Sequence, residues 1–211
     1  MASFFSNKFF KFFKFFKKNQ KISLGLYGPP NAGKTTLANM VLKDILGDDA
    51  PEFSTSNVEH ETREVQKVEK LELKKNGRTI DFNLIDTPGI ATKIDFEDFV
   101  KDGMNKKEAK ERAMQATQGV IESIKWIDSV DAVLIVLDST LNPYNQVNIT
   151  LVANLVNKNK KIIVVANKTD LKKSNTEKIK LVFPDYKIVG ISAKSGDGIE
   201  DLYDAIFKEF Y

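Results

Sequence analysis

The chain has 211 residues, no cysteine and a formal net charge of +3. That is enough length to bury a real core, and it excludes disulfides and thiolate metal sites. The charge is unevenly divided: residues 1–21 hold six lysines and no acid, so the body is mildly acidic and has no general nucleic-acid footprint.

Residues 1–19 read as a separate tail. Eight of the fifteen phenylalanines lie within residues 4–16, in the rhythm Phe9-Phe10-Lys11-Phe12-Phe13-Lys14-Phe15-Phe16-Lys17. No apolar run exceeds two residues, so the stretch reads neither as a membrane span nor as a signal peptide's apolar region. At 100° per residue, Phe4, Phe5, Phe9, Phe12, Phe13, Phe15 and Phe16 share one face, with Lys11, Lys14, Lys17 and Lys18 opposite. Lys8 and Phe10 break the pattern. Such a helix suits an anionic membrane surface, where apolar burial and cationic attraction add. Docking on the body or on a partner protein fits an aromatic stripe as well. RNA contact fits the basic–aromatic interleaving. The tail is expected to be an attachment device.

After the strand-like run Ile22 to Tyr27 comes Gly28-Pro29-Pro30-Asn31-Ala32-Gly33-Lys34-Thr35-Thr36, followed by a helical pattern over 34–46 with Leu37, Met40, Val41 and Ile45 on one face. A glycine-rich turn between strand and helix gathers backbone N–H groups and the positive helix end into one concavity suited to polyphosphate. Lys34 can reach the β- and γ-phosphates, and the Thr35 hydroxyl can ligate Mg²⁺. Residues 47–63 lack an apolar period and read as loop. Val65, Val68, Leu71 and Leu73 give an imperfect strand signal; Ile80, Phe82 and Leu84 alternate cleanly. The Asn76-Gly77 pair between them predicts a hairpin. The second strand ends at Asp86-Thr87-Pro88-Gly89, where a carboxylate can hold Mg²⁺ through water and the Gly89 N–H can approach a γ-phosphate.

Residues 90–105 read as an irregular insertion whose Phe96, Phe99 and Met104 either pack on the body or form an effector surface. A helix follows over about 106–129, with Ala113, Ala116, Val120, Ile124 and Ile127 on one stripe. The continuous apolar run Ala132 to Leu137 is a strand buried on both faces. Helix 145–157, strand Ile162 to Ala166, helix 175–181, strand Tyr186 to Ile191 and helix 198–210 continue the alternation. The fold class is α/β: a three-layer P-loop NTPase sheet, mostly parallel, with one antiparallel hairpin strand and helices on both faces. Its ligands belong at the carboxyl ends of the strands.

Asn167-Lys168-Thr169-Asp170, followed by Ser192-Ala193-Lys194, resembles the guanine-recognition pair of small GTPases. All five motifs of that family occur in order over residues 20–211. The phosphate loop and Glu61-Thr62-Arg63-Glu64 are similar to those of the Era/TrmE-like branch of the translation-factor-related class. The resemblance implies a G domain binding GTP or GDP with Mg²⁺ on Thr35, Thr62 and Asp86, Thr55 being the alternative to Thr62. Asp170 would accept from N1–H and the exocyclic amine of guanine, Asn167 would orient the loop, Lys168 would cover the ring, and the Ala193 N–H would meet O6. Era proteins carry a C-terminal RNA-binding domain that these 211 residues do not match.

Ile90 stands where Ras-like members carry a catalytic glutamine. In parts of the branch a phosphate-loop asparagine helps bind potassium, and Asn31 stands there. The other reading of Asn31 is a turn-former with a tolerated backbone conformation. His60, the only histidine, sits in a polar loop without partners for a triad. The expected function is a GTP-hydrolysing switch with a slow intrinsic rate, using Lys34, Thr62, Gly89 and Asn31. It would be cytoplasmic and peripheral on the inner membrane face. The alternatives are an RNA- or ribosome-associated GTPase and a nucleotide-binding module with negligible turnover. A protein effector and a nucleotide-dependent dimer are further expected partners.

Overall fold

A computed structural model describes residues 21–54, 65–90, 96–101 and 103–210. The tail over 1–19 and Thr55, His60 and Thr62 therefore lie outside the described residues. The elements are β1 (Ile22–Tyr27), α1 (Lys34–Leu46), β2 (Gln66–Lys75), β3 (Arg78–Asp86), α2 (Phe96–Lys101) and α3 (Lys106–Trp126). They continue with a 3₁₀ turn Ile127–Ser129, β4 (Ala132–Asp138), α4 (Gln146–Asn157), β5 (Lys161–Asn167), α5 (Thr176–Val182), β6 (Lys187–Gly190) and α6 (Ile199–Phe210). The sheet runs β2-β3-β1-β4-β5-β6. Only β2–β3 is antiparallel.

Strand alternation divides the central apolar run between two cores. Leu134 and Val136 join Leu24, Leu26, Leu37 and Ile206 on the face covered by α1 and α6. Val133, Ile135 and Leu137 join Leu151, Leu155 and Ile179 on the face covered by α4 and α5. Burying each such side chain contributes roughly 1.5–3 kcal/mol. β1 and β4 are thereby fixed side by side, and β1, β3, β4 and β5 all present their carboxyl ends to one edge.

The hairpin forms as the sequence predicts. Asn76 and Gly77 have φ of 50° and 71°, which is the type I′ geometry that matches strand twist. The imperfect signal in β2 has a physical origin. Val68 and Leu71 both face inward although three residues apart, because the register shifts between them at a bulge with Lys70 at φ 62°. The Asn83 side chain accepts from the Lys70 N–H at 3.2 Å.

Two expectations are corrected. Within 90–105, residues 96–101 form a helix, and Val100 and Met104 pack against buried Ala109 of α3. Met104 therefore follows the packing reading; the side chains of Phe96 and Phe99 lie outside what is described. The buried stripe of α3 is shifted toward the preceding positions, to Ala109, Arg112, Gly119, Ser123 and then Ile127. Ile124 is left 52% exposed. Apolar periodicity favoured the larger side chains, whereas the buried positions include Ala109, Gly119 and Ser123. Ser123 Oγ lies 3.0 Å from the Pro88 carbonyl oxygen and 2.9 Å from that of Gly119.

Candidate nucleotide site

The turn between β1 and α1 has room for glycine alone at two positions. At Gly28, φ is 148° and a Cβ would lie 2.2 Å from the Val136 carbonyl oxygen. At Gly33, φ is 93° and a Cβ would lie 2.2 Å from Asn167 Nδ2. Asn31 is exposed and has φ of 57°, the left-handed conformation that asparagine tolerates. That conformation accounts for the residue type as a turn-former.

Lys34 folds back over the loop, with Nζ donating to the Pro29 carbonyl at 2.9 Å and the Gly28 carbonyl at 3.2 Å. Its burial lowers its pKa to about 8, against the opposing pull of the Asp86 carboxylate. Thr35 Oγ1 donates to Asp86 Oδ2 at 2.6 Å. Asp86 is fully buried, and burial pushes it up to about 6 despite the Lys34 charge and the Thr35 hydroxyl. The fold disfavours both charges. Without ligand, Asp86 favours folding most where it is protonated, and that contribution is lost as pH rises from the ordinary carboxylate range through 6. Lys34 favours folding most where it is neutral, and that contribution is lost as pH falls toward 8.

Asp86 Oδ1 is buried and has no hydrogen-bond partner. A buried carboxylate oxygen beside a hydroxyl is the oxygen donor set that hard divalent cations take, so Thr35 and Asp86 fit Mg²⁺. Segment 87–90 is joined to the end of β1 and to the phosphate loop. Thr87 Oγ1 donates to the Leu26 carbonyl at 2.6 Å, and the Ile90 N–H donates to the Gly28 carbonyl at 3.1 Å. A Cβ at Gly89 would lie 2.7 Å from Pro30 Cα, so the contact requires glycine.

Asn167, at the end of β5, ties three loops together. Its Nδ2 donates to the Ala32 carbonyl at 2.8 Å, and its Oδ1 accepts from the Ala193 N–H at 2.9 Å. The carboxamide thereby joins the phosphate loop to the 192–196 loop, and Asn167 and Ala193 both line the cleft between them. Ser192 is buried and its Oγ accepts from the Ser195 N–H at 3.2 Å, which braces the 192–196 loop. Asn31, Gly33, Thr36, Lys168, Asp170 and Lys194 line a cleft of about 590 Å³. Asp170 is exposed there.

Sequence reasoning missed the end of β4. Ser139 donates to the Asn167 carbonyl through both N (3.0 Å) and Oγ (2.6 Å). Asp138 Oδ2 accepts from Lys168 Nζ at 2.6 Å. The available signal was position, because Asp138 ends a buried strand and Ser139 follows it, at the carboxyl edge where the phosphate loop, Asp86 and Asn167 also lie.

A strand–loop–helix phosphate cradle, a Thr35–Asp86 pair with a buried carboxylate and a base cleft carrying Asn-Lys-x-Asp define a P-loop nucleotide-binding protein of the guanine type. The chain belongs to the family described as 50S ribosome-binding GTPase, whose model matches residues 23–168. It is 31% identical over 193 residues to the tRNA modification GTPase MnmE of Thermotoga petrophila, covering 90% of this chain and 36% of that protein. It is 29% identical to GTPase Era of Geotalea uraniireducens, covering 87% of this chain and 53% of Era. Among solved structures, Era in complex with MgGDPNP and nucleotides 1506–1542 of 16S ribosomal RNA matches with a TM-score of 0.68 at 21% identity, over 90% of this chain and 57% of Era. The G domain of the T. maritima FeoB iron transporter matches with a TM-score of 0.55 at 20% identity, covering 91% of this chain and all of that domain. The two structures support the fold. The chain spans about a third to a half of the length of these curated relatives.

Proposed function

We propose that this protein is a GTP-hydrolysing switch held at an anionic membrane surface, on the cytoplasmic side, by residues 1–18. The observation that carries the nucleotide reading is the meeting of Lys34, the Thr35–Asp86 pair and the Asn167 bridge at one sheet edge. Catalysis is positioning and charge stabilisation. Lys34 exchanges its two loop carbonyls for phosphate oxygens, and the loop amides support it. Thr35, Asp86 and Thr62 would hold Mg²⁺, which would supply charge neutralisation on the phosphates when bound. The Gly89 N–H approaches the γ-phosphate, and Lys168 and Asp170 take the guanine ring. Loss of the γ-phosphate would release segments 47–63 and 89–105 to a protein effector or a second copy, the order–disorder device of a switch.

Ile90 has no group that can orient a water, so hydrolysis needs other help. Potassium held with Asn31 is the candidate. Single-turnover hydrolysis in potassium and in sodium tests both points. The expected result is slow turnover, faster by about tenfold or more in potassium, with the increment lost in Asn31→Ala. Equal rates in the two salts overturn the potassium role, and no release of phosphate at all leaves a nucleotide-binding module.

The tail supplies the membrane arm. Each lysine near an anionic surface contributes about 1 kcal/mol, and the phenylalanine face adds apolar burial. The full chain is expected to co-sediment with phosphatidylserine vesicles and to be released at high salt or by deletion of residues 1–18. Equal sedimentation of the truncated chain refutes attachment through the tail. The basic–aromatic interleaving favours RNA as the second reading, and retention of the full chain by RNA but not by vesicles would replace the membrane with it.

A further inference from the structure

The ammonium of Lys168 is tied to the carboxylate of Asp138, the last residue of β4, which pairs in register with Asn167 of β5. Both carboxylate oxygens of Asp138 are engaged. Oδ2 accepts from Lys168 Nζ at 2.6 Å, and Oδ1 accepts from Thr140 N at 2.9 Å and Thr140 Oγ1 at 2.6 Å. The carboxylate is therefore fixed in rotation as well as in place. The Asp138 side chain is 12% exposed and that of Lys168 30%, so the pair is partly shielded from solvent. Burial opposes ionisation of Asp138, yet the Lys168 and Thr140 bonds outweigh it and hold the carboxyl below its usual range.

The next residue completes the support. Ser139 donates twice to the Asn167 carbonyl, its Oγ lies 2.9 Å from Ser174 Oγ, and its own carbonyl accepts from the Asn175 N–H at 2.8 Å. Lys168 itself has φ of 68°, a conformation that a lysine does not keep without support. A long flexible side chain makes a poor wall unless its end is tied, because each free rotamer lost on binding weakens the complex. Lys168 lines the cleft, and with its ammonium tied at Asp138 its methylene stem is the part free to meet a ring bound there.

We propose that Asp138 is a positioning residue for base recognition, anchoring the Lys168 ammonium so that the lysine stem forms a preformed wall of the nucleotide-base cleft. This rests on the reading of that cleft as the guanine site. The wall acts on the ring as a whole, whereas Asp170 reads the exocyclic amine. Loss of the anchor should therefore weaken GDP and IDP alike.

The test is a double-mutant cycle on the full chain, with GDP, IDP and ADP affinities by calorimetry for wild type, Asp138→Asn, Lys168→Met and the double variant. Asp138→Asn is expected to weaken GDP and IDP by the same factor, about tenfold, which is the size of one charge-assisted bond. In the Lys168→Met background, which keeps the apolar stem, the Asp138 change should have no further effect. An equal loss in both backgrounds overturns the proposal, because Asp138 would then act through Thr140 and the fold. Unchanged affinity in Asp138→Asn overturns it as well. Thermal unfolding of each nucleotide-free variant identifies any that fail to fold, and Asp138→Glu, which restores the charge, should recover affinity if the anchor is what was lost. A wild type that binds ADP as tightly as GDP would refute the guanine reading, and this inference with it. A GDP preference combined with failure of the cycle refutes this inference alone.

Discussion

Replacing Lys34 with alanine is expected to weaken GTP binding by roughly 10²–10³-fold, because one partner of a desolvated charge pair is removed and the phosphate is left without it. The protein itself should survive the change. Lys34 is buried, and the fold disfavours its charge enough to bring its pKa down to about 8. What it contributes without ligand is two hydrogen bonds to the Gly28 and Pro29 carbonyls and an attraction to the Asp86 carboxylate. Truncation removes those bonds and a buried charge together, and the two effects oppose each other. The thermal midpoint of the nucleotide-free variant should then stay within a few degrees of wild type, a shift of about 1 kcal/mol or less. Calorimetric titration with GTP and a thermal melt on the same preparation check both statements. Wild-type affinity in the variant would remove Lys34 from the phosphate site.

Changing Asp170 to asparagine is expected to shift the ratio of GTP to XTP affinity by roughly 10²–10⁴-fold toward xanthine. A carboxylate accepts both N1–H and the exocyclic amine of guanine. A carboxamide presents one acceptor and one N–H₂, and the latter suits the C2 carbonyl of xanthine. Asp170 is exposed at the cleft, so the substitution should leave stability close to wild type. Competition of GTP, XTP and ATP against a fluorescent nucleotide measures the ratio directly. An unchanged GTP-to-XTP ratio would mean that another group reads the base.

Motifs that depend on local backbone geometry were legible from residue order. Gly28 and Gly33 mark the phosphate turn because no larger residue fits there, and Asn76-Gly77 marks the hairpin because both positions need positive φ. The apolar run 132–137 was legible as a strand covered on both faces, since both cores take alternate residues from it. The helix over 96–101 was not legible, being one short element whose packing partners lie on α3.

The residues alone therefore carried the class of fold, the order of its elements and the chemistry each strand end can offer, because turn conformation, periodicity and side-chain type are local properties. Contacts far apart in sequence decided the rest. Asn167 reaches Ala32 across 135 positions, and Asp138 reaches Lys168 across 30. The buried face of α3 includes Ser123, which meets the Pro88 carbonyl, while the apolar Ile124 beside it is 52% exposed. The Ala193 N–H makes a further such contact. Its bond to the Asn167 carboxamide at 2.9 Å joins residues 26 positions apart.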